Sequence, residues 1–163
     1  MGKVRHQAIS FIIPTLWSPD TTLALLQFLE HSKDALEIII IDNAPSHRPD
    51  LPELSKLHLV EQNSNCYVNP AWNLGVELAQ SNLICLCNDD ILFADNLLPS
   101  IRNSRIKGII GLHPASYVTP LEQAKQPTWS RDVHITQNWG SLLFFERNRY
   151  TPIPEVMKIW WGD

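Results

Sequence analysis

Three consecutive polar residues, Asn88-Asp89-Asp90, come directly after an apolar run and are the sharpest chemical feature of the sequence. Carboxylate oxygens are the hard ligands that Mg²⁺ and Mn²⁺ prefer, and one or two carboxylates often hold these ions together with substrate phosphates. Asn and Asp are also ordinary turn residues, so a solvated turn is the alternative interpretation. The position of the three residues after a buried strand, with other polar residues at strand ends, favours a metal site.

Further polar residues follow other apolar runs. Pro14 and Thr15 end the first run, and Asp42 ends a run of four isoleucines. Ligands of open parallel sheets bind at the carboxyl ends of the strands, so we expect these side chains to converge on one edge. Asp42 could accept a hydrogen bond from uracil or cap a turn. Asn63 and Asn73 are equally ambiguous, because Asn is favoured in loops and caps.

The hydrophobic pattern predicts the elements that would position these groups. Short apolar runs predict strands over residues 9–13, 37–41, 57–60 and 82–87. Helical spacing predicts helices over 21–31 and 69–80, the second with Asn69 as N-cap and Pro70 at the first helical position. The alternation of strands and helices predicts an α/β fold with a mostly parallel sheet flanked by helices.

The pattern is less regular beyond residue 90. In chain order we expect a helix over 95–105, a strand over 107–112, a loop or irregular hairpin over 114–132, one or two strands within 133–145 and a short helix over 154–161.

Composition limits the partners of the protein. The 163 residues are 44% hydrophobic and 18% charged, which suits one folded domain, and the formal net charge is -4. No Lys/Arg run is present, so we expect no nucleic-acid partner. No apolar run approaches membrane-spanning length, and the first one is too short for a signal-peptide core. We therefore expect a cytoplasmic protein with no integral membrane segment.

The cysteines and histidines carry weaker signals. Cys66, Cys85 and Cys87 are an odd number in no regular framework, which indicates a reducing compartment, and the last two would share one face of a strand as core residues. His113 and His134 could complete a metal site, although a lone His is more often a surface or core residue.

Several catalytic signatures are absent from the sequence. It contains neither a P-loop nor G-x-G-x-x-G, so any phosphate must be held without a Gly-rich cradle. It also lacks the G-x-S-x-G elbow of serine hydrolases. Six tryptophans are many for this length, and each could stack on a sugar ring or fill the core.

Several segments together match one known pattern, namely residues 11–15, 37–43, 63–75, 88–90, 139–150 and 160–163. The chain resembles the GT-A-fold glycosyltransferases of the family 2 type. The resemblance implies a single Rossmann-like domain over residues 1–163, with a nucleotide-binding half over 1–90 and a reduced acceptor-side half over 91–163.

The resemblance also implies roles for the donor-side residues. Pro14 and Thr15 would lie against the nucleotide base and ribose, and Asp42 would hydrogen-bond uracil. Asn63 and Asn73 would face the ribose, the diphosphate or the donor sugar.

The acidic residues would carry the metal and the chemistry. Asn88-Asp89-Asp90 takes the place of the D-x-D motif, with Asp90 as the direct ligand of Mn²⁺ or Mg²⁺. Asp163 takes the place of an acidic residue that acts as base on the acceptor hydroxyl, provided that the terminal helix or a second copy of the chain holds it in place.

Three departures from the family pattern qualify this expectation. Asn88 replaces the usual first Asp, and Trp72 stands where the family often has a basic residue. The family normally continues beyond the position of Asp163 with acceptor-binding structure.

The resemblance therefore predicts a metal-dependent glycosyltransferase that transfers sugar from a UDP-sugar to an unknown glycan or other hydroxyl acceptor. The alternative is a non-catalytic or weakly hydrolytic nucleotide-sugar-binding module. A sugar nucleotidyltransferase is disfavoured, because the loop after the first strand is not Gly-rich and basic.

Overall fold

A computed structural model describes residues 8–104, 108–113, 116, 121–130 and 139–159. Six strands are present in this part of the chain: β1 (Ile9–Thr15), β2 (Ala35–Asp42), β3 (Leu57–Glu61), β4 (Leu83–Cys87), β5 (Ile110–Gly111) and β6 (Leu142–Glu146). Three helices pack on them: α1 (Thr21–His31), α2 (Val68–Leu78) and α3 (Leu97–Asn103). Among the described residues, no helix has the length and apolar character needed to cross a membrane.

The strands form one sheet in the order β3-β2-β1-β4-β6-β5. Strands β1 to β4 run parallel to one another, whereas β6 is antiparallel to both β4 and β5. The chain moves outward from β1 through β2 to β3 and then returns to the other side of β1 as β4. This reversal makes the crevice between the carboxyl ends of β1 and β4 the switch point of the sheet, where ligands of such folds bind. The predicted α/β class with a mostly parallel sheet is confirmed.

Both faces of the sheet are buried, which explains the continuous isoleucine run in β2. Ile38 and Ile40 belong to the core cluster that includes residues of α1 and α3, while Ile39 and Ile41 belong to the cluster that includes residues of α2. Successive side chains of a strand point to opposite faces, so a strand covered on both sides must be apolar at every position. Cys85 and Cys87 are unpaired and buried in the first cluster, as the core-filling interpretation predicts.

Helix α2 lies very close to β1 because of Gly75. A methyl group added at Gly75 would stand 2.2 Å from Cγ2 of Ile12, a fully buried side chain at the centre of the sheet. Only glycine permits this approach, which brings the first turn of α2 near the carboxyl edge of the sheet.

Strand β1 is longer than predicted, because Pro14 does not end it. Pro14 pairs with Ile41 of β2, and the strand continues to Thr15. The ladder between β1 and β4 ends at Ile12, so no N–H from residue 14 is needed on that side.

Helix α2 begins one residue earlier than predicted, and Asn69 is not its N-cap. Tyr67 occupies the cap position with a φ of 67°, and Asn69 lies inside the first turn, fully buried. Its side-chain Nδ2 donates to the carbonyl of Met157 at 2.8 Å. The asparagine therefore joins the helix to a segment 88 residues later.

The second half differs most from expectation. The predicted helix over 154–161 is wrong for residues 154–159, which form a turn and irregular chain whose carbonyls accept hydrogen bonds from α2. The helix predicted over 95–105 is shortened to Leu97–Asn103, and the strand predicted over 107–112 to Ile110–Gly111. Of the strands predicted within 133–145, the described part is β6, while residues 133–138 lie outside the described residues.

Candidate functional site

Polar groups from three strands meet at the switch point. Thr15 pairs with Asp42 in the register of β1 and β2. The register of β1 and β4 pairs Ile12 with Leu86, and three further residues along each chain bring Thr15 opposite Asp89. The Thr15 hydroxyl donates to Asp89 Oδ2 at 2.5 Å. Threonine, aspartate and aspartate therefore converge on one edge, as predicted for the ends of parallel strands.

The three residues after β4, Asn88-Asp89-Asp90, form a turn that we call the acidic turn. Hydrogen bonds to its backbone atoms hold it in place. The N–H of Asn88 donates to the carbonyl of Ser141 at 3.0 Å, and hydroxyls of Thr21 and Thr22 donate to the Asp89 carbonyl. These contacts join the turn to the residues before β6 on one side and to the start of α1 on the other. Asp89 is half-buried, and Asp90 is exposed.

Burial raises the pKa of the Asp89 carboxyl above its ordinary value, and the negative charge of the adjacent Asp90 raises it further. The Thr15 hydroxyl opposes this shift by donating to the ionised form. Two neighbouring carboxylates that repel each other are a site where a cation would be stabilised.

The donor set of the acidic turn fits a magnesium- or manganese-type ion that is shared with a ligand. Asp89 and Asp90 supply two carboxylates, and the described residues contain no group of three His, Cys, Asp or Glu side chains that could hold a metal alone. Mg²⁺ is commonly held by one or two carboxylates with substrate phosphates completing the shell. The turn therefore suits an ion that arrives with a phosphate ligand.

Asp42 is the most enclosed polar group of the site. Its side chain is fully buried at the end of β2. Oδ1 accepts from the Trp17 indole Nε1 at 2.8 Å and from the Ala44 N–H at 3.0 Å, while Oδ2 pairs with Arg48 Nη1 at 3.1 Å. Asp42 thus caps the turn that follows β2, the structural alternative considered from its sequence position, and it is also held by two side-chain donors.

The loop between β3 and α2 is attached to the same edge by Asn43. The Asn43 Oδ1 atom accepts from the backbone N–H of Cys66 at 3.0 Å and from its thiol at 3.1 Å. Burial raises the pKa of the Cys66 thiol, which keeps it a neutral donor. Asn63 lies exposed earlier in this loop. The contacts of Asn43 with Cys66 therefore help to position the loop that carries Asn63.

Asn73 is engaged with the C-terminal segment. Its Oδ1 accepts from the Tyr150 hydroxyl at 2.6 Å and from the Ile153 N–H at 2.9 Å, and its Nδ2 donates to the Ile153 carbonyl at 2.9 Å. Burial raises the pKa of Tyr150 to about 12. This geometry favours a positioning role for Asn73 over the direct ligand contact expected from the sequence.

The structure thus brings together Pro14, Thr15, Asp42 and the acidic turn. The Asn73 side chain is not free to join them, because Tyr150 and Ile153 already occupy its amide. Asp163, Trp160, Trp161 and His134 lie outside the described residues. Two contributors were not singled out from the sequence, Trp17 and Arg48. Asn43 was expected at this edge, because it directly follows Asp42 at the end of a predicted strand.

A family model, Glycosyl transferase family 2, matches residues 10–157. Among solved structures, the chain is similar to the mannosyltransferase PcManGT from Pyrobaculum calidifontis, solved in complex with GDP-Man and Mn²⁺, at 22% identity and a TM-score of 0.51. That match covers 64% of this chain and 35% of PcManGT. A search of curated proteins found no match.

A second similar structure is S. aureus TarS 1-349, at 17% identity and a TM-score of 0.47, where the match covers 58% of this chain and 31% of the other. This chain therefore spans about a third of the length of the solved structures that it matches. The family match covers the greater part of the chain, from the second residue of β1 to the segment that follows β6. The protein belongs to glycosyl transferase family 2 and has a GT-A-type fold.

Proposed function

We propose that this chain binds a uridine diphosphate-sugar together with Mn²⁺ or Mg²⁺ at the carboxyl edge of β1, β2 and β4, and that it transfers the sugar to a hydroxyl acceptor. The observation that carries the proposal is the 2.5 Å hydrogen bond between Thr15 and Asp89, because it joins the nucleotide side of the edge to the acidic turn at the switch point.

Each group at this edge has a role that its chemistry supports. Asp42 would accept from a ring N–H of the base once one of its present donors has moved away, and Pro14 and Thr15 would lie against the base and the ribose. Asp89 and Asp90 would hold the metal, with Asp90 as the more accessible ligand. A divalent cation there would neutralise the diphosphate and stabilise the departing nucleoside diphosphate.

The acceptor side of the proposal rests on the segment before β6. The hydrogen bond from Asn88 to Ser141 keeps residues 139–141 beside the acidic turn, where an acceptor could approach the donor sugar. Asp163 is proposed as the base that takes the proton of the acceptor hydroxyl. A general base must stand within hydrogen-bond reach of that proton.

The donor half of the proposal is tested by calorimetric titration with a panel of UDP-sugars, with GDP-Man included because it accompanies PcManGT in its solved complex. Each ligand is titrated with and without Mn²⁺. We expect a UDP-sugar to bind more tightly with the metal, and Asp90→Ala to remove that difference without changing the circular dichroism spectrum. Asp95→Ala, which changes an exposed aspartate outside the acidic turn, is the matched control.

The outcomes separate the parts of the proposal. Equal affinity for wild type and Asp90→Ala in both conditions would remove the metal assignment. No binding of any nucleotide-sugar would overturn the donor site itself.

The second candidate function is a binding or weakly hydrolytic module. Asn88 carries no charge where the family pattern has its first Asp, which leaves the turn with two carboxylates and favours weaker metal binding. Transfer of labelled sugar to a small acceptor is measured beside release of UDP in water. Transfer that slows in Asp163→Asn at unchanged donor affinity supports catalysis, whereas donor binding without transfer supports the module.

A further inference from the structure

The acceptor oxygens of Asp42 are not open to a ligand in this structure. The carboxylate is fully buried, and three donors from the chain itself occupy it: the Trp17 indole, the Ala44 N–H and Arg48. A carboxylate offers about four lone-pair sites, and the one that these donors leave is enclosed by the protein, because the side chain has no exposed surface. A base can therefore reach Asp42 only if one of the groups that cover the carboxylate moves away.

The three donors differ in how readily they could leave. The Ala44 N–H belongs to the turn that Asp42 itself caps, two residues further along the chain, and it leaves only if that turn unfolds. Arg48 is held by a second carboxylate, that of Glu61, through the same Nη1 atom. The Trp17 side chain is half-buried, and its indole N–H donates to no group other than Asp42 in the part of the chain that the structure describes.

The backbone of Trp17 adds an independent observation. Its φ of 61° lies in the left-handed region, which bulky side chains rarely adopt. The residue is held there by its own N–H, which donates to the Thr15 hydroxyl at 2.8 Å, together with the indole contact to Asp42. Uncommon backbone conformations persist where surrounding contacts impose them, and they cluster at ligand clamps and switch regions. Departure of the indole would remove one of the two contacts that hold this conformation.

We propose that Trp17 is a gate of the nucleotide-base site, whose indole N–H occupies Asp42 Oδ1 until a base with a ring N–H takes its place. The inference rests on the proposed function, because it takes Asp42 as the base-binding residue. The exchange leaves the carboxylate paired throughout, since one ring N–H donor replaces another. Uracil and guanine carry such an N–H, whereas the corresponding ring nitrogens of adenine and cytosine are acceptors, which Asp42 would repel.

The gate is tested in two ways on the full chain, with UDP as the probe in the presence of Mn²⁺. Trp17→Phe keeps an aromatic ring and removes the N–H, so UDP no longer has to displace it. We expect this variant to bind UDP roughly tenfold more tightly, in line with the loss of one hydrogen bond to a charged group. Trp129→Phe, at an exposed tryptophan, is the matched control and should bind as wild type does.

The second measurement uses the wild-type protein alone. In nitrogen-15 spectra, the indole signal missing from Trp17→Phe identifies Trp17, and we expect that signal to move when UDP saturates the protein. AMP at the same concentration should not move it. Movement of the signal together with tighter binding by the variant supports the gate.

Two other results have distinct meanings. If UDP saturates the protein while the Trp17 signal stays fixed, or if Trp17→Phe binds UDP no more tightly than wild type, the gate is overturned and the proposed donor site stands. If no nucleotide binds either protein, the proposed function fails, and the gate fails with it.

Discussion

The hydroxyl of Thr15 donates to Asp89 Oδ2 across 74 residues of sequence, at 2.5 Å. The Thr15 hydroxyl oxygen in turn accepts from the backbone N–H of Trp17 at 2.8 Å. One side chain at the end of β1 therefore orients both the first carboxylate of the acidic turn and the backbone of the residue that covers Asp42. Loss of the Thr15 hydroxyl should therefore affect both Asp89 and Trp17.

The first prediction follows from that contact. Thr15→Val has nearly the same shape and removes the donor, which leaves Asp89 with less support for its charge. We expect Mn²⁺-dependent binding of a UDP-sugar to weaken by about tenfold, the order of one hydrogen bond to a charged group. Thr21→Val is the control, since its hydroxyl reaches only the Asp89 carbonyl at 3.4 Å. Unchanged metal dependence in Thr15→Val would contradict the orienting role.

The second prediction concerns pH and the raised pKa of Asp89. The folded chain holds the Asp89 proton more tightly than the unfolded chain does, so the stabilisation is complete below the ordinary pKa of 3.8 and is lost as pH rises through the folded value. At neutral pH the ionised carboxylate therefore opposes folding. We expect Asp89→Asn to raise the thermal midpoint of the metal-free protein at pH 7, with a gain that shrinks as pH falls towards 3.8. A lower thermal midpoint for Asp89→Asn at pH 7 would contradict this argument, because it would show that the folded protein stabilises the ionised Asp89 carboxylate.

The third prediction concerns Asp42. Asp42→Asn preserves the size of the side chain and an acceptor but loses the charge that Arg48 pairs with. We expect uridine ligands to bind more weakly by roughly 1.5–3 kcal/mol, the range for a hydrogen bond to a charged group, and adenosine ligands to change little. The circular dichroism spectrum of the ligand-free variant is measured as well, to show whether the variant is folded. An unfolded variant would mean that the fold itself needs the charge of Asp42, so the base-binding role would lose its support.

The fourth prediction concerns Tyr150, which donates to Asn73 at 2.6 Å. Burial raises the pKa of Tyr150 to about 12 from 10.0, so its contribution to stability is complete below 10.0 and is lost as pH rises through about 12. Tyr150→Phe should cost about 0.5–1.5 kcal/mol at neutral pH through loss of the hydrogen bond. The variant should also lose less stability than wild type between these two pH values. Denaturant unfolding at several alkaline pH values measures both effects, and parallel curves for the two proteins would contradict the burial argument.

The fifth prediction concerns the close approach of α2 to β1. Alanine normally stabilises a helix interior by about 1 kcal/mol relative to glycine. At Gly75, however, the added methyl would meet Ile12 at 2.2 Å, and overpacking of this kind typically costs about 1–3 kcal/mol. We expect Gly75→Ala to be destabilising by denaturant unfolding. Gly140→Ala is the control, because a methyl there meets nothing within 4 Å.

A double-substitution cycle identifies the cause. If the Ile12 contact is responsible, Ile12→Ala and Gly75→Ala together should cost less than the sum of the two single changes. Simple additivity would assign the effect of Gly75→Ala to the helix itself.

The sequence was most informative where local pattern and sheet topology agree. Four isoleucines in succession predict a strand covered on both faces, and the clusters around Ile38 and Ile39 confirm it. The acidic turn could be placed at the ligand-binding edge because it follows a buried strand, and the carboxyl ends of parallel strands meet there.

What the sequence did not predict depends on partners distant along the chain. Nothing local to Asn73 indicates that its amide would bind Ile153, 80 residues later. The conformation of Trp17 is set by Thr15 and Asp42, so no propensity of tryptophan predicts it. Residues 154–159 satisfied the local pattern of a helix, but their carbonyls accept hydrogen bonds from α2 instead.

The central place of β1 in the sheet has a consequence for hydrogen exchange. β1 has a hydrogen-bonded neighbour on each side and is buried at all seven of its residues, whereas residues 154–158 are exposed. Local opening is rarest where burial is deepest, so amides of Phe11 to Ile13 should exchange at rates set by global unfolding, and those near Met157 far faster. A ligand at this edge would therefore rest against a strand that opens only when the domain unfolds, near a segment at 154–158 whose amides open far more often.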